Sequence, residues 1–128
     1  MRSVIVVLAA LWLVACSEPD PRFQIAPQAW NEIKVEVETR PTPIQAGMNE
    51  FLIIATLERG KPVSDLVVSL RAQPGAQWQQ AIQDGHSGVY RRALRVPGTP
   101  TLYVRLRKTR SDEQAVLEFP LVYAGEGP

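Results

Sequence analysis

The chain has 128 residues, with 14 lysines and arginines against 13 aspartates and glutamates, one histidine and one cysteine. That length accommodates one ordinary domain and leaves no room for a second fold. Near-neutral charge names no partner, and a lone cysteine excludes an internal disulfide.

At the N-terminus Arg2 precedes an apolar run from Val4 to Ala15, which stops at Leu13-Val14-Ala15-Cys16. A charged start, a short apolar segment and small residues before a cut are the parts of a secretion signal. A helix needs about twenty apolar residues to cross the hydrocarbon, so this run is too short for a permanent span. Leu13-Val14-Ala15-Cys16 resembles the lipobox of bacterial lipoproteins. That resemblance implies cleavage before Cys16, diacylglycerol on its sulfur and an acyl chain on its new amino group. The alternative is an ordinary signal peptide, or an uncleaved apolar tail, in which Cys16 is incidental. Ser17 stands where an aspartate would resemble the inner-membrane retention signal, so the resemblance implies the periplasmic face of the outer membrane ahead of the inner one. Removal of residues 1–15 from 128 leaves 113, with 13 basic residues facing 13 acidic ones.

Residues 16–30 read as the lipidated cysteine and an extended tether, because SEPDPRFQIAPQA holds three prolines and no sustained apolar period. Phe23, Ile25 and Trp30 are its apolar exceptions; they are expected to pack onto the domain, with the membrane interface as the alternative. The folded part is expected over residues 31–124, and residues 125–128 form a short tail.

Within that span the pattern is strand, turn, strand. Ile33, Val35 and Val37 alternate with Lys34, Glu36 and Glu38, and Pro41 and Pro43 end the run. Asn49 to Glu58 is apolar on both faces, as a central strand is, and Arg59-Gly60-Lys61-Pro62 supplies a turn. Leu66, Val68 and Leu70 mark the next strand, closed by Pro74-Gly75, and Trp78 to Ile82 forms a weaker one. Tyr90, Leu94 and Val96, then Leu102, Val104 and Leu106, then Ala115 to Tyr123 complete the set. Short strands with turns every eight to twelve residues predict an all-β, immunoglobulin-like β-sandwich of about seven strands.

Gly47-x-Asn49-x-Phe51, Gly60-x-Pro62-Val63, Leu66-Val67-Val68, Trp78, Gly88-Val89-Tyr90-Arg91, Leu94-x-Val96-Pro97 and Leu102-Tyr103-Val104-Arg105-Leu106 together resemble the FixH and YtkA-like group of small extracytoplasmic sandwich domains. The resemblance spans residues 33–123 and implies a role in respiratory-oxidase assembly or copper handling. The chain departs from that group in replacing a membrane-spanning helix with an acyl anchor. It also keeps only Met48 and His86 as soft metal ligands once the signal is removed and Cys16 is acylated.

A copper site needs several Met, Cys or His groups to converge. Met48 and His86 are therefore weak candidates, and no cofactor beyond the covalent lipid is expected. Asp84, His86 and Ser87 have the residue types of a hydrolase triad, but they crowd one turn, and no nucleophile elbow or phosphate-cradling loop occurs. An enzyme is not expected. From Arg91 to Arg110 the chain carries seven basic residues and no acidic one. If residues 91–107 form one hairpin, alternation places Arg91, Arg95, Tyr103, Arg105 and Arg107 on a common outer face, a candidate partner-binding surface. The competing reading is a solubilising face neutralised by Glu36, Glu38 or Glu118. Arg92 shares the inward phase of Tyr90 and Leu94 and calls for a bulge or an edge position.

These features predict a membrane-tethered periplasmic lipoprotein that acts as a non-enzymatic binding or assembly module, with the bilayer and another envelope protein as partners and no nucleic acid. The alternatives are a copper-handling chaperone and a structural envelope lipoprotein without a specific ligand.

Overall fold

The computed structural model describes residues 20–98 and 101–123. Its strands, in chain order, are β1 (Gln28–Trp30), β2 (Ile33–Arg40), β3 (Gly47–Thr56), β4 (Leu66–Arg71), β5 (Gln79–Gln80), β6 (Ile82–Gln83), β7 (Val89–Val96), β8 (Thr101–Lys108) and β9 (Gln114–Pro120). They form two antiparallel sheets, ordered β1-β2-β3-β7-β6 and β5-β4-β8-β9. With β2 as strand A, β3 as B, β4 as C, β6 as D, β7 as E, β8 as F and β9 as G, these are the ABED and CFG sheets of an immunoglobulin-like sandwich, and β5 adds an edge to the second. The all-β sandwich expected from alternation is therefore the fold.

Nine strands replace the expected seven or so because two local signals are weak. Asn31, at φ 54°, turns β1 into β2 where no glycine marks a hairpin. The stretch around Trp78 and Ile82 is two short strands in different sheets, and buried Ala81 sits at the switch between them.

Alternation builds the core. Ile33, Val35 and Val37 of β2 point inward with Phe51 and Ile53 of β3 and Tyr90 and Leu94 of β7. Against them stand Leu66, Val68 and Leu70 of β4, Leu102, Val104 and Leu106 of β8, and Phe119 of β9. Apolar burial of this kind is the main favourable term in folding, at about 25 cal/mol per Å².

The resemblance motifs map onto two structural locks. In the first, Asn49 is buried and closes the loop before β3: its Oδ1 accepts from the Gln45 N–H at 2.9 Å, and its Nδ2 donates to the carbonyls of Gln45 (2.8 Å) and Gly47 (3.2 Å). In the second, three chain segments meet at Gly88. The Ala55 N–H donates to the Gly88 carbonyl, and the Val63 N–H donates to the Ala55 carbonyl, each at 2.9 Å. The buried Tyr90 hydroxyl then donates to the Val63 carbonyl at 2.8 Å and accepts from the Leu66 N–H at 3.3 Å, fastening the β3–β4 connection to β7.

Tyr90→Phe orphans both of those buried backbone groups, so it is expected to lower stability by about 1–3 kcal/mol, measured by denaturant unfolding with an unchanged m-value. Burial raises the Tyr90 pKa above the ordinary 10.0, because the phenolate is disfavoured inside the sandwich. The folded state therefore holds the proton more tightly than the unfolded chain. Its contribution is intact below pH 10 and is lost as pH rises beyond it. Tm measured from neutral pH upward is expected to fall above pH 10, and the Tyr90→Phe variant is expected to lose part of that fall.

Residues 20–27, expected to be spacer, lie along the domain. Ile25 and Trp30 pack against the core, and Asp20 and Phe23 share a cleft of about 710 Å³ with Thr39, Arg40, Pro41 and Thr42 at the far end of β2. Asp20 accepts from the Arg22 N–H at 3.0 Å to start the 3-10 turn Pro21–Phe23.

Candidate functional site

The expected common face for the arginines does not form. β7 and β8 are consecutive but lie in opposite sheets, so the connection after Val96 crosses the sandwich instead of turning a hairpin. The reason is packing: Leu94 and Val96 face Leu102, Val104 and Leu106 across the core, which hairpin partners with these residues on one face cannot do. Arg91 and Arg95 therefore occupy the outer face of the five-stranded sheet, while Tyr103, Arg105 and Arg107 occupy the outer face of the four-stranded one.

On the five-stranded sheet Arg91 is neutralised. Its guanidinium bonds Asp84 at 2.9 Å and approaches Glu50 at 3.6 Å, and exposed Met48 and Ile82 flank these groups along an open cleft of about 540 Å³. For Arg91 the carboxylates are not the expected ones: Glu36 pairs with Lys34 at 2.7 Å, and Glu118 lies on the four-stranded sheet, where it stands exposed opposite Tyr103. Arg92 resolves as an edge position. β6 covers β7 only opposite Arg91 and Tyr90, so the inward-phased Arg92 reaches around the open edge to Gln79 Oε1 at 2.9 and 3.2 Å.

On the four-stranded sheet the arrangement differs. Arg71 of β4 lies opposite Tyr103 of β8, and Arg105 lies opposite Ser69. Trp78, just before β5, brings its indole between the two arginines, with guanidinium carbons 4.2 Å (Arg71) and 4.7 Å (Arg105) from the ring centroid. Arg71 also lies 5.5 Å from the Tyr103 ring. Among the described residues Arg71, Arg105 and Arg107 form no ion pair. Val116, opposite Arg105 on β9, is 49% exposed, so the cluster continues into an apolar step. Cation–π stacking of this kind holds each guanidinium in place, contributing about 0.5–1 kcal/mol at an exposed site, while leaving its charge uncancelled. Sequence reasoning identified Tyr103, Arg105 and Arg107 but missed Arg71 and Trp78, which are distant in sequence and join the face only through sheet pairing.

Met48 and His86 are not brought together. Met48 lies opposite Arg95 at one end of β7, and His86 is in the turn before Val89 at the other. Six strand positions separate those ends, about 20 Å at 3.3 Å per residue, so the two residues of one chain cannot share a metal ion. Asp84 and Ser87 are likewise committed elsewhere: the carboxylate bonds Arg91, while the hydroxyl donates to the Asp84 carbonyl at 2.5 Å and accepts from the Val89 N–H. These are turn contacts, with no nucleophile held by a base.

Arg2, Leu13, Val14, Ala15 and Cys16, the signal and lipidation residues, lie outside the described residues. In comparisons with known proteins the chain matches no family model, no curated protein and no solved structure.

Proposed function

We propose that this chain is a lipid-anchored, non-enzymatic binding module of the bacterial envelope. It is held through acylated Cys16 at the periplasmic face of the outer membrane and docks another envelope protein with the outer face of its four-stranded sheet. The observation that carries the docking role is the Arg71–Trp78–Arg105 stack beside Tyr103, which carries no carboxylate partner among the described residues. Arginine, tryptophan and tyrosine are the residue types that dominate interface energetics, and fixing their geometry beforehand lowers the ordering cost of binding. An acidic partner surface fits the unpaired guanidinium groups. The resemblance to the FixH and YtkA-like group adds a candidate setting, assembly of a respiratory complex.

Photo-crosslinking in intact cells tests the docking face, with the photoreactive residue at position 107 or, as control, at position 34 on the other sheet. A discrete adduct from position 107 alone, lost in the Arg71→Ala/Arg105→Ala variant, is the expected result. Adducts of equal yield from both faces would overturn the assignment. The double variant is expected to lose about 1–2 kcal/mol of stability through the stacks, so it remains folded at growth temperature and circular dichroism confirms this. Separately, Cys16→Ser is expected to abolish metabolic labelling by an alkyne fatty acid and leave the sandwich folded. Label retained on the serine variant would contradict acylation at Cys16.

A further inference from the structure

The connections of the sandwich divide between two ends. At one end lie the turn at 31–32 and the loops at 57–65, 84–88 and 109–113; at the other lie the loops at 41–46 and 72–78, the crossing after Val96 and the segment 121–123. The bridge between Ile44 and Tyr123 ties the second end together. Acidic residues are partitioned between them. Glu32, Glu58, Asp65, Asp84, Asp112 and Glu113 all sit in the first group of loops, with only Arg59, Lys61 and Arg110 against them, a net of three negative charges; the described loops of the second group contain no charged side chain.

The chain reaches the domain at this acid-poor end. Residues 27 back to 20 run beside β2 toward its last residues, and Asp20, the one carboxylate there in the N-terminal segment, is bonded to Arg22 at 2.7 Å. Glu18 and Glu126 lie outside the described residues. Arg40 and Arg95 are exposed on the same end, and neither has an ion pair among the described residues; Glu50, opposite Arg40 on β3, pairs with Arg91 at 3.6 Å. Covalent geometry fixes the distance: four residue steps separate Cys16 from Asp20, a reach of about 14 Å at full extension. That is less than two Debye lengths at physiological salt, roughly 8 Å each.

We propose that this end of the sandwich rests on the bilayer, with Arg40 and Arg95 against the phosphates of anionic phospholipid headgroups. The proposal deepens the function above and rests on acylation of Cys16. A carboxylate-rich end held this close would be repelled by anionic lipid, whereas each arginine near such a surface strengthens attachment about fivefold. The opposite end, with its acidic loops, then faces away from the membrane, and the outer face of the four-stranded sheet stands upright with Arg71 and Trp78 at its membrane-facing end.

The molecule carries its own reporters. Cleavage before Cys16 removes Trp12 and leaves Trp30 beside the 31–32 turn and Trp78 next to the level of Arg71. Lys108 Nζ lies 5.5 Å from the Trp30 ring, and Tyr103, opposite Arg71, is five strand positions from Lys108, so the two levels are separated by about 17 Å along the strands. The lipoprotein is purified from membranes with its own acyl chains, its mass is measured, and it is reconstituted into vesicles of phosphatidylcholine with phosphatidylglycerol carrying a headgroup energy acceptor. Trp30→Phe and Trp78→Phe each isolate one donor. The expected result is several-fold more efficient transfer from Trp78 than from Trp30. In Arg40→Gln/Arg95→Gln, and in vesicles without phosphatidylglycerol, that ratio is expected to fall by at least half. Equal transfer from both tryptophans, or stronger transfer from Trp30, would overturn the orientation. A ratio unmoved by the arginine substitutions, with selective binding of an acidic peptide to this end, would replace the headgroups with a protein partner. A mass lacking the acyl groups would instead remove the anchoring on which the orientation depends, an outcome distinct from any transfer result.

Discussion

Gly88→Ala is expected to lower stability by about 2–5 kcal/mol, more than alanine at any other described glycine, since Gly88 alone among them meets an added Cβ at 3.1 Å or less. Two independent terms contribute. Gly88 has φ +74°, and an L-residue in that region costs about 1–2 kcal/mol. A Cβ there meets the Ala55 carbonyl oxygen at 2.7 Å, Pro62 Cβ at 3.0 Å and the Val63 nitrogen at 3.1 Å. Two of those neighbours are backbone atoms in the hydrogen-bonded junction, so they cannot swing aside as a flexible side chain would, and overpacking of this kind costs about 1–3 kcal/mol. For a domain of this size the loss corresponds to a Tm drop of roughly 10–25 °C, readable by calorimetry. Gly75→Ala is the matched control: it also has positive φ, at +81°, but nothing lies within 4 Å of its added carbon. It is expected to cost only the backbone term. Equal losses at both glycines would show that crowding at the junction contributes nothing.

Asn49→Ala is expected to cost about 2–4 kcal/mol. The side chain is 1% exposed and completes a loop by accepting from one backbone N–H and donating to two carbonyls. Truncation leaves those groups to water at the partly open Gln45 side and to nothing at the buried side, and it also opens a small cavity. Asn49→Asp separates the functions, since it keeps the acceptor for the Gln45 N–H but replaces the donor with a carboxylate facing two carbonyl oxygens. Because that charge is buried beside acceptors, the aspartate variant is expected to recover as pH falls through the carboxylate range, whereas the alanine variant is not. Urea unfolding at pH 7 and pH 4 distinguishes the two.

These losses explain why the fold was legible in the sequence while the surface was only partly so. Ile33, Val35 and Val37, or Leu102, Val104 and Leu106, carry a period of two that survives any strand order, so strand existence and the two-layer core follow from alternation alone. Which strands share a sheet does not. Pro97 and Gly98 after Val96 suit a hairpin turn and a sheet-crossing loop equally, and that ambiguity divided the basic stretch from Arg91 to Arg110 between two faces. Trp78 could be seen in the sequence as an isolated aromatic, but its stacking on Arg71 and Arg105 depends on a pairing between strands some thirty residues apart. Asn49, Gly88 and Tyr90 stood out as motif residues for a sound physical reason, since each holds a backbone junction that few other side chains can replace. Their prominence records how the chain folds, and the chemistry of the exposed faces has to be read separately.

The outer margin of β2 carries a further consequence. β1 covers it only opposite Ile33, Lys34 and Val35, and beyond that the irregular segment containing Pro21 and Pro27 takes over. Proline offers no amide hydrogen, so this cover cannot itself serve as a template for another strand. Molecules confined to a two-dimensional sheet of lipid collide edge to edge far more often than molecules in solution. Under the proposed acylation, a guard rail of this composition would keep neighbouring molecules from pairing along this margin at high surface density, which leaves β9 as the longer open edge.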